Sequence, residues 1–364
     1  MIKQEPGRQT FNSEYVVPIV FLTLSLLAWQ LSGLTGSFVF NQVLNRFIRD
    51  GILVLSLIIP VVAGMGLNFA ITVGAMSMQT ALLIMIGYRV EGLTGILLAI
   101  VLGVVLAVIL GYVIGVILNR VKGKEMITTI IIGFLFNSVY QLIFLVGFGS
   151  VIPVLNEEII LTRGIGVRNT VDLGMYRNTI DKLWLLEIGD LEIPFFMILV
   201  VLMFAAMIFY ILHTRFGQEV KAIGSSTQTS EVLGINAQAV RIKVIILSTV
   251  LAALGQLAYL QNIGMFDVYT AHLTNDVISC AALLAGGASI KHAKIRHALA
   301  GVFLFHTLFI VSPQAGQNLF HNAALGEYFR SFVAYGTIAF ALIINVRNEN
   351  QYKRVHQTIS APYK

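Results

Sequence analysis

Nine polar or aromatic side chains lie inside long apolar runs: Asn68, Phe69, Ser77, Gln79, Asn137, Gln141, Gln256, Tyr259 and Asn262. A polar group left in hydrocarbon without a partner is costly, so each must meet a neighbouring helix or a solute. Amides offer donors and acceptors together, and aromatic rings stack on a sugar or a base. An uncharged set of this kind suits a neutral hydroxylated or heterocyclic ligand better than an ion. Any one of them alone is more often a hydrogen bond between helices than a ligand contact. Ser77 and Gln79 stand beside an expected helix break at Gly74 and are the stronger candidates for a substrate pathway. Asp276, after Thr274, is explained by a place in a first helical turn.

Other chemistry is not in view. The chain has no Gly-x-x-x-x-Gly-Lys-Ser/Thr run, so it carries no sign of hydrolysing a nucleotide itself. Metal-ligand spacings and a Ser/His/Asp arrangement are also missing, so no catalytic residue, metal or directly bound cofactor is expected. The seven histidines are scattered, with His292 and His297 expected to meet water or lipid headgroups. The single cysteine, Cys280, lies in an apolar run and reads as a buried, inert thiol. No basic run interleaved with aromatics accompanies the net charge of +6, so a nucleic-acid partner is not expected.

Composition decides what surrounds these residues. Hydrophobic residues make up 57% of the chain and charged residues 12%, about half the ~25% charge of a soluble domain. The mean hydropathy is +0.84. Such a chain cannot cover itself in water; lipid is its solvent. The expected fold is therefore an all-α polytopic membrane protein forming one transmembrane domain over residues 1–364. Ten transmembrane helices are predicted, over about 15–35, 50–73, 75–89, 93–118, 126–148, 193–213, 243–264, 272–290, 297–314 and 329–346. The third is short for a hydrocarbon core of about 30 Å and reads as broken or half-depth, which is tolerated where backbone lines an enclosed cavity.

Charge orients the spans. Arg120, Lys122 and Lys124, then Arg215 and Arg241, then Lys291, Lys294 and Arg296, and finally Arg347, Lys353 and Arg354 fall on one side. The segment 149–192 falls on the other, with seven acids against four bases. Positive charge stays inside, so both termini are expected in the cytoplasm and 149–192 outside. Arg46 and Arg49, placed outside by this count, run against it.

The cytoplasmic segment 214–242 is longer than most connections and is patterned. Ser225 or Ser226 can cap a short helix from about Thr227 to Leu233, ending at Gly234. The motifs Arg215-Phe216-Gly217, Ala222-Ile223-Gly224 and Gly234-Ile235 resemble the coupling segment of permease subunits of bacterial ABC importers, in the ribose and branched-chain amino-acid permease family. Ala285-Gly286-Gly287-Ala288-Ser289-Ile290 and Gly64-Met65-Gly66-Leu67-Asn68-Phe69 are similar to two further motifs of that family, in the same order. Gly74-Ala75-Met76-Ser77-Met78 lacks the acid of the sugar-permease pattern, and Glu125-Met126-Ile127-Thr128-Thr129 is closer to the nucleoside branch.

The resemblance implies a multi-pass protein of the bacterial plasma (inner) membrane that carries a small neutral solute such as a sugar or nucleoside. It implies a second permease subunit, identical or related, a cytosolic ABC ATPase that uses ATP, and an extracytoplasmic substrate-binding protein. Arg215, Gly217, Gly224, Thr227, Glu231 and Gly234 would then couple this chain to the ATPase. An amino-acid ABC permease and an ion-coupled secondary transporter are the alternatives.

Overall fold

The computed structural model describes residues 13–162, 164–174, 176, 183–322, 324–332, 335–336, 338–340 and 343. The expected span 329–346 lies partly outside the described residues, and the basic tail after it wholly so. Among the described residues, six helical runs are long and apolar enough to cross a membrane. They are α1 (Ser13–Ser32), α5 (Gly92–Arg120), α6 (Glu125–Leu142) with the π-helical turn Ile143–Gly147 that extends it, α7 (Phe195–His213), α10 (Ala237–Ile263) and α12 (Ile295–Phe320). The bundle is completed by α2 (Gly36–Ser56), as long as these but carrying Arg46, Arg49 and Asp50, and by the shorter α3 (Ile58–Val62), α4 (Ile71–Gly87), α8 (Arg215–Ser225), α9 (Thr227–Val232) and α11 (Asn275–Ala285). A further helical run covers 324–332.

The second expected span is corrected. It begins at Gly36 rather than near 50, because Arg46, Arg49 and Asp50 lie inside α2 instead of in a loop before it. Its far end is set by Pro60, which has no N–H to offer the carbonyl four residues back, so α2 and α3 are separate. That carbonyl, on Ser56, instead accepts from Ser248 Oγ of α10 at 2.9 Å. The chain then breaks at 63–70, where Gly64 (φ +72°) and Gly66 (φ +76°) take left-handed conformations. The break therefore precedes α4 and does not sit at Gly74. Gly74 serves packing: a Cβ there would lie 2.3 Å from the Thr249 carbonyl oxygen of α10.

Small residues fix a second close contact. Gly111 and Gly115 of α5 lie one turn apart, and a Cβ on either would come within 2.9 Å of the Cα of Ile246 or Ile242 on α10. Spacing of four puts both glycines on one face, which brings the two backbones together in lipid. α10, α4 and the second half of α2 form the buried centre, whereas α5, α6 and α7 turn Val101, Phe134, Leu135 and Tyr210 outward. Such an apolar exterior is suited to hydrocarbon.

Residues 149–192 add structure beyond helices. β1 (Thr170–Asp172) pairs antiparallel with β4 (Met265–Asp267), and β2 (Leu185–Ile188) pairs with β3 (Leu191–Pro194). Asn156 seats the segment on the end of α4, its backbone N–H donating to Gly87 O at 3.0 Å and its Nδ2 to Ile86 O at 3.3 Å. Buried Tyr176 donates its hydroxyl to Val90 O. Burial, with the charge of Glu91 adding, pushes that phenol up to about 12.

Candidate functional site

At the end of the bundle opposite 149–192, α8 and α9 form a two-piece rod. Thr214 Oγ1 accepts from the Gly217 N–H at 3.4 Å and starts α8; Ser226 Oγ accepts from the Thr229 N–H at 3.2 Å and starts α9. The cap expected at Ser225 or Ser226 is thus Ser226, and α9 ends before Gly234, whose φ is +82°. Gly217 lets α8 fold back on α7, since a Cβ there would lie 2.3 Å from Ile211 O. Gly224 meets α3: a Cβ would lie 2.0 Å from Val62 O, and a Cβ on Gly64 would lie 3.1 Å from the Gly224 Cα. Thr227 Oγ1 donates to Ile223 O at 3.4 Å across the junction of the two helices. Arg215 is exposed and pairs with Glu219 at 3.3 Å; Glu231 lies 3.5 Å from Lys122, both half-exposed. Val232 and Leu233 at the tip are 88% and 73% exposed, so the rod presents an apolar end away from the bundle.

The polar residues of the spans separate into groups. Asn68 pins the 63–70 break: its Nδ2 donates to Ser248 Oγ at 3.1 Å and its Oδ1 accepts from the Ala70 N–H at 3.1 Å. Phe69 donates its N–H to Thr129 Oγ1 at 3.3 Å. Ser77 donates to Val73 O of its own helix at 2.9 Å. These three serve the backbone.

Gln79 and Asn137 are brought together by a residue the sequence reading passed over. His272, fully buried, places Nδ1 2.9 Å from Gln79 Oε1 and Nε2 2.8 Å from Asn137 Oδ1. Both ring nitrogens therefore face an amide oxygen, and the NH2 of Gln79 is left turned away from the ring. Tyr140 stands edge-on to His272 with ring centroids 5.1 Å apart, and Gln141 Nε2 reaches Asn137 Oδ1 at 3.4 Å. Three residues on, Asn275 donates to Gln256 Oε1 at 2.5 Å. Gln79 Nε2, Tyr140 OH and Gln256 Nε2 are buried with no hydrogen-bond partner among the described residues. Buried orphan donors in one region are costly and are relieved by a polar ligand or water. Tyr259 and Asn262 lie further along α10, half-buried, with the Arg49 guanidinium 5.0 Å over the Tyr259 ring.

Sequence reading missed His272 and Asn275 because each is a lone polar residue at the start of the expected span 272–290, and only the packing of that stretch against α4, α6 and α10 gives them partners. It also placed His297 in water; the ring is buried, and its Nδ1 accepts from the Lys294 N–H at 3.3 Å. Near the rod, Arg241 Nη2 lies 2.6 Å from Glu125 Oε1, and the pair is nearly enclosed.

A family model described as branched-chain amino acid transport system / permease component matches residues 39–342. Among curated proteins, the nucleoside ABC transporter permease protein NupC of Lactococcus lactis subsp. cremoris (strain MG1363) is 32% identical over 155 residues, 42% of this chain and 45% of that protein. The chain thus matches a little under half of that relative's length. No solved structure matches it.

Proposed function

The chain belongs to the branched-chain amino acid transport system permease-component family, and from that premise we propose that it is the transmembrane permease subunit of an ABC importer. Its pathway carries a small neutral solute such as a sugar or nucleoside across the bacterial plasma membrane. The nucleoside preference is supported by the relative's printed substrate and by the amide-rich group around His272. ATP is hydrolysed in a cytosolic ABC ATPase; a second permease subunit completes the pore, and an extracytoplasmic binding protein delivers the solute over 149–192.

In this reading the spans are α1, α2 with α3, α4, α5, α6, α7, α10, α11, α12 and the run beginning at 324, with both termini cytoplasmic. The carrying observation is the seat of Gly224 on Val62. A rod bound by the ATPase transmits its displacement to the 63–70 break through backbone, without slack from side chains. Two conformations of the pore are then biased from a site remote from the solute.

The family's description favours a second reading, an amino-acid permease. The buried Asp50–His306 pair, 3.0 Å apart, favours a third, an ion-coupled carrier. Uptake into vesicles holding ATP and the ATPase, with ribose, uridine and leucine as a panel, separates them. Vanadate-sensitive uptake of uridine or ribose supports the proposal; uptake of leucine alone replaces it with the second reading.

A further inference from the structure

Arg46, Arg49 and Arg330 belong to neither the coupling rod nor the amide cluster. Arg49 lies within α2 with its side chain 17% exposed, and Arg330 in the run 324–332 with 24%. The Cζ of Arg46 is 5.0 Å, and that of Arg330 4.0 Å, from the centroid of one ring, Phe309 of α12. One turn of α2 beyond Arg46, Arg49 stands 5.0 Å over the ring of Tyr259. Three guanidinium groups, two from one face of α2 and one from the run 324–332, therefore meet the same pair of rings inside a bundle built for lipid.

Their charge is not balanced. Asp50 lies 3.6 Å from Arg49 and also serves His306; Glu327 pairs with Arg330. No carboxylate among the described residues lies within ion-pair reach of Arg46. The Nε atoms of all three arginines are buried without a hydrogen-bond partner among the described residues. Stacking on a ring steadies a guanidinium through its face, yet leaves its in-plane donors unused. Those donors match the two oxygens of a carboxylate or phosphate, and charge-assisted bonds of that kind are the strong ones.

We infer that Arg46, Arg49 and Arg330 bind one carboxylate or phosphate group inside the bundle. The anion neutralises the surplus positive charge and satisfies the orphaned donors. This goes beyond the proposed neutral cargo and does not rest on it: binding needs neither ATP nor transport. The group comes either from a free inorganic anion or from the acidic end of a solute.

Calorimetric titration of the full chain in nanodiscs of zwitterionic lipid, at constant ionic strength, tests the site. The probes are inorganic phosphate, acetate and ribose 5-phosphate, with ribose as the uncharged control. One saturable anion site per chain is expected, untouched by ribose and at least tenfold weaker in Arg46→Gln at an unchanged melting temperature. Ribose 5-phosphate binding tenfold tighter than phosphate assigns the anion to a solute; equal binding assigns it to a free ion, and either result keeps the site. Should Arg46→Gln fail to fold, Arg330→Gln, nearer the surface, carries the same expectation. The inference is overturned if none of the anions binds the parent saturably, or if the folded variant binds as tightly as the parent.

Discussion

The α-carbon of Gly224 faces the carbonyl oxygen of Val62 so closely that a methyl group there would sit 2.0 Å from it. No rotamer can move a backbone oxygen aside, so Gly224→Ala must tilt α8 off α3. The expected result is at least a tenfold loss of solute-stimulated ATPase activity in the assembled importer, at a stability cost of about 1–3 kcal/mol, typical of overpacking. Gly234→Ala provides the contrast, since the space around it is open and only its positive φ resists. That change costs about 1 kcal/mol and leaves most of the stimulation in place.

Glu231 should matter for coupling and hardly at all for folding. Its partner Lys122 is 3.5 Å away, and the two side chains are 47% and 45% exposed. Exposed pairs of this sort contribute about 0–1 kcal/mol. Glu231→Gln is expected to melt within a degree or two of the parent while weakening association with the ATPase subunit, measured by co-purification.

Arg241 behaves in the opposite way. With the pair 5% and 10% exposed, Arg241→Gln strands the Glu125 carboxylate, and the loss is about 3–5 kcal/mol. Arg241→Met with Glu125→Leu removes both charges and should recover most of the melting temperature. A double variant as unstable as the single one would show that the ion pair itself, not the stranded charge, holds this corner.

The amide cluster separates binding from scaffolding. Gln79→Ala or His272→Ala is expected to cut solute uptake at least tenfold with normal membrane insertion, because the two side chains meet and the buried donors Gln79 Nε2 and, beside the His272 ring, Tyr140 OH lack partners among the described residues. Ser77→Ala should be silent, its hydroxyl being spent on Val73 of the same helix. Asn68→Ala should lower stability without changing KM, since it ties the 63–70 break to Ser248.

What was legible in the sequence follows from range. Capping and left-handed glycines act over four residues, so Ser226 and Gly234 announced α9, and plain hydropathy announced α5. The start of α2 was hidden because Arg46, Arg49 and Asp50 look like a loop until α10, α12 and the run at 324–332 supply their partners. Gly74 suggested a break, yet a glycine that admits a neighbouring backbone and one that turns the chain are the same letter. His272 had no spacing partner along the chain; Gln79 and Asn137 reach it only once α4 and α6 are side by side. Ser77 and Gln79, two positions apart, were read together and fall on different duties.

The central claim is that energy enters through the rod from a separate ATPase. The most direct measurement compares proteoliposomes holding the chain with its ATPase and binding protein against proteoliposomes holding the chain alone. The account predicts uptake in the first that needs internal ATP and stops with vanadate, and none in the second under a proton or sodium gradient. Accumulation by the solitary chain on an ion gradient would contradict it.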